Sequence, residues 1–187
     1  MGFTREQLAG YAGKTVDDLL GPHVRLLFVG INPGLWTAAT NTHFCHPSNR
    51  FYPALRRAGL IDWGFDTSSG MSPEERARLE RAGIGITNLV PRATARASEL
   101  DTTELRLGRE RVERVVAEVA PPVAAVAGLT AYRTAFERPR AVLGRQPETI
   151  GETRLWVVPN PSGLNAHETV DSLADWYRRA AEDAGLL

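Results

Sequence analysis

Four short apolar runs, residues 24–29, 84–90, 123–127 and 155–158, constrain this chain more than any other feature. Each is rich in β-branched residues and bounded by glycine, proline or asparagine, the pattern of strands buried on both faces. Between and after them, residues 51–58, 73–82, 104–119, 131–136 and 170–184 carry apolar side chains at helical spacing. In the longest of these, Leu105, Val112, Val115, Val116 and Val119 form one stripe, and Arg109, Glu110, Glu113 and Arg114 fall elsewhere on the helix. Strand and helix therefore alternate. The pattern predicts an α/β fold: a three-layer α/β/α sandwich around a central, mainly parallel sheet of four to five strands. The 187 residues suit a single domain spanning 1–187, with a helical segment expected over 1–22.

In a sheet of this kind the ligand crevice lies beyond the carboxyl ends of the strands. The segments to inspect are therefore 30–34, 90–96, 128–130 and 159–167. Two of them contain an Asn-Pro pair. In Gly30-Ile31-Asn32-Pro33-Gly34, glycines and proline impose a tight, rigid turn that aims Asn32 into the crevice. The same residues also make an ordinary turn in which Asn32 bonds only its own backbone. In the second loop, Pro159 to His167, Leu164 is an apolar residue in a polar setting. It either tucks back onto the core or projects as a wedge of the type that enters a base stack.

Composition removes several chemistries. Cys45 is the single cysteine, which excludes an internal disulfide and any site built from several thiolates. Lys14 is the single lysine, so a lysine amine acting as nucleophile has one candidate, placed before the first strand. The formal net charge is +0, so any surface for nucleic acid must be local. His43 and His46 have a spacing too weak to predict a metal without further ligands, and no metal or cofactor is expected. No apolar run approaches the roughly 20 residues of a membrane span, and no secretory signal is visible. A cytoplasmic monomer with no membrane partner is the expectation. A phosphate-cradling nucleotide-binding protein fits poorly, because neither a P-loop nor a Gly-x-Gly-x-x-Gly motif is present.

Four ordered stretches carry a resemblance: residues 24–34, His46-Pro47-Ser48-Asn49-Arg50-Phe51, Gly85-Ile86-Thr87-Asn88-Leu89-Val90, and 156–164. Over them the chain resembles the mismatch-specific uracil-DNA glycosylases and their thymine-DNA glycosylase relatives. The resemblance implies a uracil-DNA glycosylase-like fold and a monofunctional enzyme of base excision repair. Such an enzyme excises uracil, and thymine or related damaged pyrimidines, from G:U and G:T mispairs in double-stranded DNA and leaves an abasic site. It assigns Asn32 to hold the attacking water, a role suited to a carboxamide, which orients water but removes no proton at neutral pH. Around the base it places Ile31 and Phe44 as backbone donors, the Phe44 ring as a stacking face, Asn88 at the base edge, and Thr37 and His43 in the pocket wall.

On the DNA side the resemblance places Leu164 as the wedge, with Gly163, Asn160, Ser162, Asn165 and His167 on its loop. Arg92 and Arg96, beyond a strand end, are candidates for flanking phosphates and equally for solvated surface charges. The family's usual pattern after the leucine is serine and arginine, whereas this chain reads Asn165-Ala166-His167. The alternative is a mismatch or abasic-site binding protein with little turnover.

Overall fold

In the computed structural model, which describes residues 2–187, the expected sandwich forms. Its elements are α1 (Arg5–Ala9), β1 (Leu26–Gly30), α2 (Leu35–Thr40), α3 (Phe51–Arg57), α4 (Pro73–Arg81), β2 (Ile84–Asn88), α5 (Thr102–Val119), β3 (Val123–Ala127), α6 (Leu129–Ala135), β4 (Gly144–Ile150), β5 (Thr153–Val158) and α7 (Val170–Ala184). The sheet order is β2-β1-β3-β5-β4; β1, β2, β3 and β5 run parallel and β4 is antiparallel to β5.

The parallel strands are buried on both faces because their side chains alternate between two cores. Leu26, Phe28, Ile84, Ile86, Ala125 and Trp156 join α3, α7 and Leu79 of α4 in one cluster. Leu27, Val29, Ala124, Val126, Leu155 and Val157 join Val112 and Val116 of α5 and Tyr132 of α6 in the other. The stripe read in α5 is the one that packs, since Leu105, Val115 and Val119 lie against that second core.

β4 has no apolar run. Its sequence, Gly-Arg-Gln-Pro-Glu-Thr-Ile, is polar and contains Pro147, and a register shift falls between Arg145 and Thr149. Proline and irregularity are tolerated there because an edge strand leaves one row of N–H groups unpaired. The expected helical segment over 1–22 is helical only at α1. From Gly10 onward glycines interrupt it, and the chain instead runs along the far edge of the sheet, where Leu19 exchanges two backbone hydrogen bonds with Ile86 at 2.8 and 2.9 Å.

β1 feeds β2 on one side while β3 flanks it on the other, so the strand order reverses at β1. The carboxyl end of β1 is thus the switch point where a crevice opens.

Candidate active site

The loop after β1 is stitched to the loop after β2. Leu89 N donates to Gly30 O and Val90 N to Ile31 O, both at 2.9 Å, and Thr94 N donates to Pro33 O at 3.1 Å. The Asn32 carboxamide nitrogen faces Thr94 Oγ1 at 2.8 Å, Arg92 O at 3.1 Å and Pro33 O at 3.2 Å. Thr94 spends its own hydroxyl proton on Arg96 O at 2.8 Å, so toward Asn32 it can only accept. All partners on that side are therefore acceptors, and the amide has one satisfactory orientation. Oδ1 points the other way, open to solvent and without a hydrogen bond among the described residues. A fixed, unpaired carbonyl oxygen is a seat for a water molecule.

Two residues earlier, Gly30 ends β1 beside Asn88 and Phe44. A Cβ on Gly30 would lie 2.3 Å from Asn88 Oδ1 and 3.1 Å from Phe44 Cζ, so only glycine allows these groups to converge. Behind Asn88 sits His43, 3% exposed, with Nε2 2.9 Å from Asp17 O and Nδ1 3.0 Å from Asn88 Nδ2. A peptide carbonyl only accepts, so Nε2 carries the proton. Desolvation by burial lowers the His43 pKa to about 4, against favourable contributions from Asp17 O and the Asp18 charge. The ring is therefore neutral near pH 7, Nδ1 accepts from Asn88, and the Asn88 Oδ1 is turned toward Gly30. Both His43 nitrogens are occupied, so His43 does not touch a base through them; it holds Asn88. His46 is exposed and bonded to Ser48 Oγ at 2.8 Å, so the two histidines do not converge.

Phe44 takes a left-handed backbone conformation, φ 55°, and stacks on Phe51 with centroids 4.2 Å apart. One ring face is thus backed by the core and the half-buried remainder borders Gly30. The N–H groups of Ile31 and Phe44 donate to no other group among the described residues. Thr37 is the one buried residue of α2, the helix that starts directly after the Asn32 loop.

The second Asn-Pro loop is built by its own polar side chains. Asn160 Oδ1 accepts from Ser162 N at 3.0 Å, Asn165 Nδ2 donates to Asn160 O at 3.0 Å, and Asn165 Oδ1 accepts from His167 N at 3.2 Å. Asn160, Ser162 and Asn165 are thus committed to shaping the loop. Leu164 at its tip is 91% exposed, which removes the reading in which it tucks onto the core.

A family model, the uracil DNA glycosylase superfamily, matches residues 18–184. The chain belongs to the uracil DNA glycosylase superfamily. Among solved structures it is similar to the solution NMR structure of a candidate uracil DNA glycosylase from Methanosarcina acetivorans. The TM-score is 0.61 at 15% identity, over 93% of this chain and 98% of that one, a likeness of fold alone.

The two candidate phosphate ligands of this glycosylase separate. Arg92 Nε and Nη2 both bind the Glu104 carboxylate, the latter at 2.9 Å, and Nη2 also reaches Glu99 O at 3.3 Å. Its guanidinium, which holds the Glu104 carboxyl down at about 2, fastens the start of α5, so Arg92, left open between a phosphate ligand and a solvated charge, is engaged in an ion pair within the protein. Arg96 is exposed and has no ion pair among the described residues. Three features escaped the sequence. Thr94 orients Asn32. Arg111 braces the end of β2, donating to Asn88 O at 2.9 Å and Thr87 Oγ1 at 2.6 Å while pairing with Asp18 at 2.6 Å. Lys14, remote in sequence, has its carbonyl 2.7 Å from Ala93 N, beside Thr94, with its side chain exposed. Only the strand-end location of 90–96 hinted at the first.

Proposed function

We propose that this glycosylase is monofunctional, and that it extrudes and hydrolyses uracil, and thymine or related damaged pyrimidines, opposite guanine. The observation that carries the reading is the Asn32 amide, whose nitrogen is anchored to three acceptors and whose oxygen is left free. In this reading Oδ1 accepts from the attacking water and aims its lone pair at the anomeric carbon. An amide takes no proton, so the glycosidic bond breaks largely ahead of attack. The departing base carries the negative charge, and the unpaired N–H groups of Ile31 and Phe44 suit its stabilisation as donors do at an oxyanion. Asn88 Oδ1 accepts the imide N–H of uracil or thymine, Phe44 stacks on the ring, and Leu164 fills the vacated stack.

The test is single-turnover incubation with duplexes carrying one G:U, G:T or A:U pair, scored as alkali-labile sites. G:U is expected to be cut fastest. Asn32→Ala is expected to lose about 10²- to 10³-fold while still binding the duplex, the scale of removing one positioned polar group. Unchanged excision in that variant refutes the role of Asn32. Binding without base release from any duplex favours the mismatch or abasic-site binding protein. A borohydride-trapped adduct that disappears in Lys14→Ala refutes the monofunctional mechanism.

A further inference from the structure

We propose that Arg50 is the positioning residue that joins the Leu164 wedge to the base pocket, acting on nucleotide extrusion and not on bond cleavage; this rests on the reading of Leu164 as a wedge. Arg50 immediately precedes α3 and is the point where two loops meet. Its backbone N donates to Pro161 O at 2.9 Å, and its Nη1 donates to Ser162 O at 3.2 Å and Asn165 O at 3.0 Å. These carbonyls flank Gly163 and Leu164 on both sides. The same interface is closed by Gly163, where a Cβ would lie 2.4 Å from Ser48 Oγ and 2.6 Å from Ser48 O. The wedge loop is thereby pressed onto the 46–50 loop.

The next residue, Phe51, is fully buried and stacks on Phe44. Two consecutive residues thus hold the two halves of the device, Arg50 the wedge and Phe51 the stacking ring. Leu164 itself has almost no contact with the protein, being 91% exposed, so its position comes only from the loop that carries it. A wedge gains nothing if its support yields when it meets stacked bases. Arg50 makes no ion pair with a carboxylate among the described residues, so its hydrogen bonds to the loop carbonyls are its visible task. Removing its donors leaves Asn165 O unpaired and Ser162 O with only its bond from Asn165 N, so that the backbone bond from Arg50 N to Pro161 O is the remaining hydrogen-bonded tie of the loop to Arg50.

The experiment compares wild type with Arg50→Met, which keeps the packed stem without the donors, and with Gly163→Ala, which opens the same interface from the other side. A fluorescent adenine analogue beside the uracil of a G:U duplex brightens on extrusion, and base release is followed on the same duplex. Both variants are expected to lose the brightening and to slow release roughly ten- to a hundredfold, the scale of two lost hydrogen bonds from a charged donor to part-buried carbonyls. Adding Leu164→Ala to Arg50→Met is expected to cost little more, because the two act as one unit. Full brightening with slowed release in Arg50→Met overturns the proposal, as does an unchanged rate. So does a fall of about 0.9 in the salt slope of duplex binding, which marks a direct phosphate contact instead. If the wild type brightens without releasing base, the glycosylase reading fails while the Arg50 proposal is still decided by the fluorescence.

Discussion

Thr94→Val tests what orienting Asn32 is worth. Valine nearly matches threonine in shape but can neither accept the 2.8 Å hydrogen bond from Asn32 Nδ2 nor donate the 2.8 Å one to Arg96 O. The amide keeps Arg92 O and Pro33 O, at 3.1 and 3.2 Å, so a flip that turned Oδ1 toward them would meet two carbonyl oxygens. The variant therefore loosens the amide without inverting it. A net hydrogen bond contributes about 1 kcal/mol, which corresponds to roughly a fivefold loss in rate. Single-turnover excision from a G:U duplex is expected to slow by about that factor, with duplex affinity unchanged and far above the rate of Asn32→Ala. A Thr94→Val rate as low as that of Asn32→Ala would refute the reasoning, because Thr94 would then act on substrate itself. A rate equal to wild type would equally sink it.

Gly30→Ala is expected to abolish excision, by about a hundredfold or more, in a protein that still folds, since the new Cβ at 2.3 Å displaces Asn88 Oδ1; retained activity on uracil would mean Asn88 is not a base contact. His43 makes the fold acid-sensitive. Its pKa is about 4 in the folded chain against an ordinary 6.5, so between those values the unfolded chain binds more protons; stability is full above pH 6.5 and falls by about 3 kcal/mol on descending to pH 4. Urea titrations of wild type and His43→Gln across that range are expected to show this component only in the wild type. Arg96→Ala is expected to reduce the salt slope of duplex binding by about 0.9, whereas Arg92→Ala should leave the slope intact and lower the melting temperature, because Arg92 is tied to Glu104.

The parallel core was legible because burial on both faces forces a run of apolar, β-branched residues, and β3 begins and ends where its run does. β4 was not, because an edge strand needs no apolar run and its residues satisfy local ties instead: Gln146 binds Val142 O and Gly144 O, and Glu148 accepts from Tyr132. α2 was equally hidden. It has six residues, no side-chain cap and one buried position, so neither periodicity nor a capping signature marks it.

The site divides along the same line. Asn32 and Leu164 could be singled out because each is locally anomalous, an amide in a rigid turn at a strand end and an apolar residue in a polar loop. What fixes them is not local. Thr94 lies 62 positions from Asn32, and the carbonyls that Arg50 binds lie 112 and 115 positions from it. Nothing in a threonine or an arginine announces which distant group it will orient, because both are ordinary polar residues until the fold brings their partners near. His43 makes the point most sharply. In sequence it reads as a pocket residue, yet burial keeps it neutral and Asp17 O selects its tautomer, so what it does in the fold is to orient Asn88. Residue types that can contact a substrate are thus readable one at a time, whereas the residues that aim them are defined by hydrogen-bond direction and become visible only when donors and acceptors are counted in space.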